Sequence, residues 1–399
     1  MPRRRERDGQ LAVVSFSHAV QHFYPSGLAL VYPFVVSSFH TSWGALGVVV
    51  GVAGVVGGLL QALAGAFRRL SARLLLAIQN LGLATASVAG ALGGSFASFG
   101  AARLFGALVS WPQHPVGSAV LARRYPDRRA FALAWHVAGG SIGTAVIPLA
   151  MSAAIAYEGW RFGLAMLAIP LGLGALAVSA WLRDPLPEEE QHAKVAPRIR
   201  LLELLRQRES AASLAAGTIA AGGRGLGTLT TYVPAYLKDG LHLSALAVGG
   251  IFTAMLVGSI GGPVGAGRLA DRLGRRRLLV VVYILAAAAI IGFVEVGSEI
   301  GALVVMAVLV GILGYSESPL LQAVFSEAIP QSHHQSAFGW FFAISYGVGS
   351  LWTILLGYLI DSAGFKGAFL AMAASFVLAG GVLAWASPKT RARKRALDL

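Results

Sequence analysis

The sequence predicts an all-α membrane protein of twelve transmembrane helices, arranged as two pseudo-symmetric six-helix bundles. Three observations predict this fold class: an apolar composition, a regular alternation of apolar runs with basic clusters, and an internal repeat. Of the 399 residues, 56% are hydrophobic and only 13% are charged, whereas soluble domains carry about 25% charged residues. A soluble globule of this size would have too few charges to cover its surface, and the same composition excludes intrinsic disorder.

Twelve apolar runs follow one another along the chain, and each is long enough to cross a bilayer as a helix. We number them spans 1 to 12, and they cover residues 11–37, 44–66, 73–93, 96–122, 130–156, 160–182, 210–237, 244–268, 277–297, 300–327, 336–361 and 365–387. Span 1 follows a cluster of four arginines, as the apolar core of a signal peptide does. It is too long for a signal peptide and eleven runs follow it, so it is predicted to be a retained helix.

The basic residues are distributed unequally between the two sides of the membrane. Twelve spans place both termini on one side, and 27 of the 32 Lys and Arg residues lie in the tails and loops of that side. The positive-inside rule makes that side cytoplasmic, which predicts a multi-pass protein of the bacterial inner membrane with both termini in the cytoplasm. The net charge of +14 is then explained by basic loops that face anionic lipid headgroups. No nucleic-acid partner is expected.

An internal repeat divides the chain into two halves. His40 before span 2 corresponds to His242 before span 8, at an offset of 202 residues, and Pro33 corresponds to Pro234 at 201. We predict an N-terminal bundle over 1–182, a cytoplasmic linker with an amphipathic helix over 183–209, and a C-terminal bundle with a basic tail over 210–399. Parallel repeats of this kind bind solutes near the middle of the membrane, where the halves meet.

The loop after span 8 resembles the loop signature of the major facilitator superfamily. Residues 267–277 read GRLADRLGRRR, close to the family pattern G-x-x-x-D-R-x-G-R-R, and Arg103 with residues 122–126 resembles the family's fourth helix. The resemblance spans the whole chain and implies a secondary transporter that works by alternating access. Within the family, His114-Pro115 and Ser17-His18 resemble fosmidomycin-resistance-type efflux proteins, although Val116 replaces a glutamate. That narrower resemblance implies efflux and drug resistance.

The family usually carries this signature between spans 2 and 3, but here that copy has Arg69 where the aspartate belongs. The complete copy lies in the second half, and pseudo-symmetry predicts that Asp271 lies near the cytoplasmic N-terminus of span 5, where unpaired N–H groups stabilise an anion. We interpret this copy as a conformational latch that holds the inner side closed. A solvated loop charge is the alternative. The predicted latch residues are Gly267, Asp271, Arg272, Gly274 and Arg275.

Polar residues lie within spans 1, 4, 7 and 10, where they are costly and therefore suggest function. In the family that the chain resembles, these four helices line the central cavity. The predicted substrate-binding residues are His18, Gln21, His22, Trp111, Gln113, His114, Arg224 and Tyr315. Glu317 and His22 are the predicted proton-coupling residues, because histidine titrates near neutral pH and a desolvated glutamate can be shifted toward it. Packing histidines and a structural Arg224–Glu317 pair remain alternatives.

These observations favour proton-coupled efflux of a small, anionic organic solute or drug. Proton-coupled uptake of a small organic anion is the alternative, followed by a non-transporting sensor. No enzymatic constellation and no cofactor site appear, and a phosphate-binding loop with Lys and Ser/Thr spacing is missing. The chain has no cysteine, and the i, i+4 pair His18 and His22 lacks a nearby acid or thiolate, so no metal site is expected. We expect a monomer.

A cysteine at position 190 tests the predicted topology. Glu190 lies in the predicted cytoplasmic linker, and the chain contains no other cysteine. Glu190→Cys should react with a membrane-impermeant maleimide only after the cells are permeabilised. Equal labelling in intact cells would reverse the predicted orientation.

Overall fold

The computed structural model describes residues 2–62, 70–183 and 199–386, and helices make up nearly all of this part of the chain. The helices of the first half are Pro2–Ser38, Trp43–Ala62, Ala72–Leu92, Phe96–Val109 with Ser118–Arg124, Arg129–Glu158, and Trp160–Met166 with Ala168–Trp181. They match spans 1 to 6 in order, with spans 4 and 6 each made of two helices. The first helix begins nine residues before the predicted start of span 1.

The second half follows the same plan. Its helices are Arg208–Ala220 with Thr230–Ala235, Ala245–Leu273, Arg275–Glu295, Ile300–Glu327, His334–Phe341 and Leu351–Trp385. The last of these contains the end of span 11 and span 12 as far as Trp385, and Gly364, with φ 71°, separates them. A left-handed φ of this kind costs a residue with a Cβ atom more than it costs glycine.

Eight helical stretches of the described residues are long and apolar enough to cross a membrane, and the stretch 336–385 contains two spans. Together they account for every span except 1, 4 and 7, the spans that contain many of the candidate site residues. Large apolar side chains cover the outside of the molecule, including Leu92 at 78% exposure and Ile169 at 68%. Such a surface is a liability in water but is what lipid requires.

The internal repeat is visible in the backbone. His40 and His242 are the two non-glycine residues of the described segments with a positive φ, at 48° and 56°. Two residues after each, Ser42 and Ser244 accept hydrogen bonds from the amides of Ala45 and Ala247 and so cap spans 2 and 8. The sequence offset of 202 residues therefore reflects one turn and one N-cap used twice.

Two hydrogen bonds between first and last spans identify one end of the bundle. The Gln10 side chain donates to the carbonyl oxygen of Trp181, and Arg208 donates to that of Trp385. Each bond joins the first span of a half to its last span. We call this end, where span 1 begins and span 12 ends, the proximal end, and the opposite end the distal end.

A row of glycines on span 2 brings the two halves together. Gly47, Gly51, Gly54 and Gly58 lie on one face of the helix, against span 11. A Cβ atom at Gly47 would lie 2.6 Å from the carbonyl oxygen of Thr353, and one at Gly58 would lie 2.7 Å from the Cα atom of Gly347. These glycines therefore allow the two helices to pack closely, and this contact joins the two halves.

The halves also meet at the distal end, through a carboxylate. Asp361 at the end of span 11 accepts hydrogen bonds from the amides of Trp43 and Gly44, at 3.0 and 2.7 Å, and so caps span 2 of the other half. Nearby, the Lys238 ammonium lies 5.6 Å from the centroid of the Phe34 ring, which joins spans 7 and 1. An anion at a helix N-terminus is stabilised by the free N–H groups and the helix dipole.

The described part of the predicted linker is tied to the second half. A short helix covers Leu201–Arg206, with Leu204 buried and Leu202 58% exposed, as an amphipathic helix at a membrane surface requires. The Ile199 amide donates to the hydroxyl of Ser336. The remaining linker residues, 184–198, lie outside the described residues. Residues 63–69, which include Arg69 of the incomplete signature, also lie outside them.

We predict that Asp361→Ala opens the distal end. The assay uses Ser152→Cys, because Ser152 is 2% exposed and lies against Gly249 of span 8 across the two halves. Loss of a charged cap costs about 1 kcal/mol or more, so maleimide should label this cysteine roughly fivefold faster in the Asp361→Ala background. Asp271→Ala removes an exposed carboxylate at the proximal end and should not raise the rate. An unchanged rate in Asp361→Ala would show that the cap does not hold the distal end closed.

Candidate functional site

Four histidines from three spans form a cluster in the first half. The His18 and His22 rings of span 1 meet edge to face at 4.7 Å, and their Nε2 atoms are 3.1 Å apart. His114 of span 4 lies edge to face with both rings, at 4.9 and 5.8 Å. His136 of span 5 stacks on His18 at 4.1 Å. Three of the rings are buried and His114 is exposed, so the cluster is reached from the side of His114.

The outer nitrogens of the two span 1 histidines are held by span 5. His18 Nδ1 lies 2.7 Å from the backbone oxygen of His136, to which it donates because a carbonyl can only accept. His22 Nδ1 lies 2.8 Å from the hydroxyl of Thr144. That hydroxyl is also 2.9 Å from the carbonyl oxygen of Gly140. Both rings are therefore fixed in orientation, with their Nε2 atoms directed toward each other.

Gln113 stabilises an interruption of span 4 beside this cluster. A wide helical turn at Gln113–Gly117 separates the two helices of the span, which is a common distortion at proline. The Gln113 side-chain oxygen accepts from Ser17 and Gln79, at 2.9 and 3.0 Å, and its amide nitrogen donates to the carbonyl oxygen of Val14. Gln113 is fully buried, and its backbone amide donates to the Gln79 side-chain oxygen at 2.7 Å, so the interrupted backbone has a polar partner inside the protein.

Arg224 and Glu317 form a buried ion pair in the second half. The Arg224 Nε atom lies 2.6 Å from a Glu317 carboxylate oxygen, and the two residues are 3% and 0% exposed. The Tyr283 hydroxyl donates to the other carboxylate oxygen, at 3.3 Å. Spans 7 and 10 thus meet through these two charges, and each charge has a partner at membrane depth.

The rest of the guanidinium is also engaged. Its two terminal nitrogens donate to the backbone oxygens of Ser345 and Gly217, at 2.6 and 2.7 Å. The group also lies 4.3 Å above the centroid of the Tyr346 ring. In this conformation each of the three guanidinium nitrogens of Arg224 therefore makes a hydrogen bond within its own half.

Span 7 is broken where Arg224 lies. Gly227 has φ 150° and ψ −105°, a conformation that favours glycine, and the regular helix resumes at Thr230. The Thr228 hydroxyl donates to the carbonyl oxygen of Gly222, and the Thr230 hydroxyl to that of Gly225. These threonines satisfy carbonyls that the interrupted helix leaves open, as a broken helix within a membrane requires.

The remaining predicted residues are less closely grouped. The hydroxyl of Tyr315 lies 2.7 Å from that of Thr230, next to the break in span 7. Trp111 is buried, and Gln21 is buried with a side-chain oxygen that has no hydrogen-bond partner among the described residues. Arg103 donates to the Tyr32 hydroxyl at 3.3 Å, in a structural contact between spans 4 and 1.

The predicted latch residues lie at the proximal end of span 8. The helix extends to Leu273, so Gly267, Asp271 and Arg272 are helical rather than in a loop, and Gly274 with φ 87° ends it. Asp271 is exposed and makes no hydrogen bond to another residue of the described segments. Arg275 instead pairs with Glu327 of span 10, at 2.8 Å. The predicted contact of Asp271 with the N-terminus of span 5 is therefore not made by the described residues in this conformation. The role of these residues as a latch stays a prediction.

Several residues of both clusters were not among the predicted site residues. Gln79 and Asn80 are adjacent polar residues inside the apolar span 3, a signal that marks them as candidates. Thr144, Tyr283 and Tyr346 carry no such signal, because single hydroxyls are common in membrane helices. Their roles depend on which helices face each other, and that is visible only in the fold.

Comparison with known families gives one match that covers nearly the whole chain. The sequence model of the family described as the Major Facilitator Superfamily matches residues 14–294 and 215–399. The chain is also similar to the proline/betaine transporter of Salmonella typhimurium, at 27% identity over 274 residues, and to a glycine betaine/proline/ectoine/pipecolic acid transporter of Dickeya dadantii, at 25% over 270. These matches cover 62% of this chain and 53% of each relative, so the chain spans about half the length of those curated relatives.

Solved structures show the same fold. The nucleoside transporter NupG superposes with a TM-score of 0.81 at 14% identity, over 95% of this chain and all of that one. A bacterial homologue of the human lysosomal transporter Spinster, in an inward-facing and occupied conformation, gives 0.77 at 15% identity, over 94% and 96% of the two chains. At these identities the likeness concerns the fold alone.

The buried pair should behave as a unit in stability measurements. Glu317→Leu leaves the Arg224 charge uncompensated and should lower the free energy of unfolding by about 3–5 kcal/mol. The double variant Arg224→Met with Glu317→Leu should recover at least half of that loss. Unfolding in mixed micelles with increasing SDS content measures both values.

The pair Arg275–Glu327 is the matched control, since its side chains are 41% and 55% exposed. Glu327→Leu should change the free energy of unfolding by less than about 1 kcal/mol. Equal effects at Glu317 and Glu327, or a double variant as unstable as Glu317→Leu alone, would contradict a coupled buried pair.

Proposed function

The chain belongs to the Major Facilitator Superfamily and is a membrane transporter of that family, and we propose that it takes up a small carboxylate-bearing solute together with protons. The observation that carries the proposal is the buried Arg224–Glu317 pair at the break of span 7. A guanidinium binds carboxylates in a planar, two-point geometry, and a glutamate is the group that a proton neutralises. The pair thus contains both a binding group and a coupling group.

The solute class is supported by the relatives. The two curated relatives carry names that specify proline, betaine, ectoine and pipecolic acid, and each of these compounds carries a carboxylate. An anionic solute, as the sequence favours, and a zwitterion such as a betaine share that group. We therefore propose a small carboxylate, with or without a balancing cationic centre.

Uptake replaces efflux as the preferred direction. The narrow resemblance to fosmidomycin-resistance-type proteins predicts efflux, proton antiport and drug resistance, but the relatives' names describe transport of proline and betaine rather than drugs. Uptake with protons uses the charges of Arg224 and Glu317 together. In uptake the solute and the proton bind to the same conformation, one at each residue. We propose a protein of the cytoplasmic membrane with both termini inside, acting as a monomer.

Coupling follows from the contacts of the pair. Protonation of Glu317 removes the negative charge that holds Arg224 Nε at 2.6 Å. The guanidinium then lacks a counter-ion in a buried site, which is costly, and a solute carboxylate restores the balance. Release of the proton on the other side returns Arg224 to Glu317 and expels the solute. Arg224 has a counter-ion both in the empty transporter, where Glu317 is ionised, and in the loaded one, where Glu317 is protonated and the solute is bound. Binding of the proton or the solute alone leaves an unpaired charge and is unfavourable.

Glu317→Gln should separate binding from coupling. The amide resembles the protonated acid, so the variant should still exchange labelled solute across proteoliposomes, with glycine betaine and proline as the probes. An inward proton gradient should no longer accelerate its uptake. The measurement compares initial uptake with and without the gradient.

Glu327→Gln makes the same chemical change at the exposed pair on the same span. It should retain gradient-driven uptake within about twofold of the unmodified chain, because exposed pairs contribute little. Gradient-driven uptake by Glu317→Gln at the unmodified rate would remove Glu317 from the coupling step.

A further inference from the structure

We propose that His18, His22 and His114 form a binding site for a divalent transition-metal ion such as Zn²⁺, with one coordination position left open. Nothing in the proposed uptake of a carboxylate requires this site. The sequence does not predict it, because the two span 1 histidines lack a third ligand within their own helix. The fold supplies that ligand from span 4, next to the interruption held by Gln113.

The distances suit a metal ion. Available nitrogens of the three histidines all lie within 4.8 Å of one another, and the Nε2 atoms of His18 and His22 are 3.1 Å apart. Nitrogens bound to one tetrahedral zinc ion, at about 2.0–2.1 Å each, are separated by about 3.3 Å. The two buried ligands are therefore already spaced for coordination, and His114, which is exposed, needs a shift of only about 1–2 Å.

The protonation pattern also suits a metal ion. His18 donates its Nδ1–H to the backbone oxygen of His136, so its Nε2 carries a lone pair when the ring is neutral. When the Thr144 hydroxyl donates to Gly140, it accepts from His22 Nδ1–H, and the second Nε2 also carries a lone pair. Two lone pairs then face each other across 3.1 Å. A metal ion between them relieves this repulsion and satisfies both.

Thr144 can also stabilise the metal-free pair of histidines. Its hydroxyl can instead donate to His22 Nδ1, which moves the ring proton to Nε2, where it donates to His18 Nε2. Rotation of one hydroxyl thus converts a hydrogen-bonded pair into a pair of metal ligands. Such hydrogen bonds to the outer nitrogen are the usual supports of metal-bound histidine. His136, which is 1% exposed with no hydrogen-bond partner for either ring nitrogen among the described residues, stacks on His18 and fixes its plane.

The ligand set selects the class of ion. Three neutral imidazoles suit zinc, cobalt, nickel and copper rather than magnesium or calcium, which prefer oxygen. Three protein ligands leave the fourth tetrahedral position open, on the side of the exposed His114. Since the imidazoles are neutral, a bound divalent ion keeps its charge in a low-dielectric site, so an anionic oxygen ligand such as hydroxide or a carboxylate must fill that position.

Direct metal binding tests the proposal without any transport assay. The full chain, purified with a histidine-free tag and freed of metal with a chelator, is titrated with Zn²⁺ alone by calorimetry and with Co²⁺ alone by visible absorption. We expect one equivalent per chain and the intense bands of tetrahedral cobalt. His114→Gln should weaken Zn²⁺ binding by at least about tenfold, with the thermal stability of the metal-free chain unchanged because its side chain is exposed.

Two further variants separate coordination from general packing. Thr144→Val should weaken Zn²⁺ binding by about tenfold and Thr144→Ser should restore it, since only the hydroxyl supports the required tautomer. His333→Gln, in the loop between spans 10 and 11, is the histidine control and should bind as the unmodified chain does. Absence of stoichiometric Zn²⁺ binding to the folded chain, or binding that His114→Gln leaves unchanged, would overturn the proposal.

Discussion

The organisation of the second half depends on one interaction, the ion pair between Arg224 and Glu317. A charge at this depth in a membrane is tolerated only with a partner, and each of the three guanidinium nitrogens has an acceptor here. Glu317 supplies one, and the backbone oxygens of Ser345 and Gly217 supply the others. Spans 7, 10 and 11 are therefore held at one point by a single side chain. The break in span 7 beside Arg224 provides the local freedom that this convergence requires.

The two halves use the same scaffold for different chemistry. Their turns and caps repeat at His40 and His242 and at Ser42 and Ser244. The first half places neutral groups at its centre, namely imidazoles and the amides around Gln113, whereas the second places a full ion pair there. An ion pair responds sharply to the loss of one charge, whereas loss of one neutral group leaves no uncompensated charge behind. Pseudo-symmetry of the backbone thus coexists with a division of chemical roles.

The sequence predicts the helices better than the site. Apolar runs mark span boundaries closely because lipid exposure demands uninterrupted apolar length, and span 10 begins and ends as predicted at 300 and 327. Helical spacing places His18 above His22, and membrane depth marks Arg224 and Glu317 as two charges that can compensate each other. The contribution of Thr144 and the third ligand position of His114 depend on packing between helices far apart in the chain. No periodicity within one helix contains that information.

The glycine row on span 2 has a consequence for kinetics. Where Gly47 and Gly58 meet span 11, the contact is backbone against backbone, and at Gly51 and Gly54 the side chains come from span 11 alone. Two helices in such contact can slide or pivot without waiting for rotamers to rearrange, which keeps the activation barrier for relative motion of the halves low. The free-energy difference between conformations depends instead on groups such as Asp361, whose hydrogen bonds join the two halves at the distal end in this arrangement. The rate and the equilibrium of conformational exchange are thereby controlled by different residues.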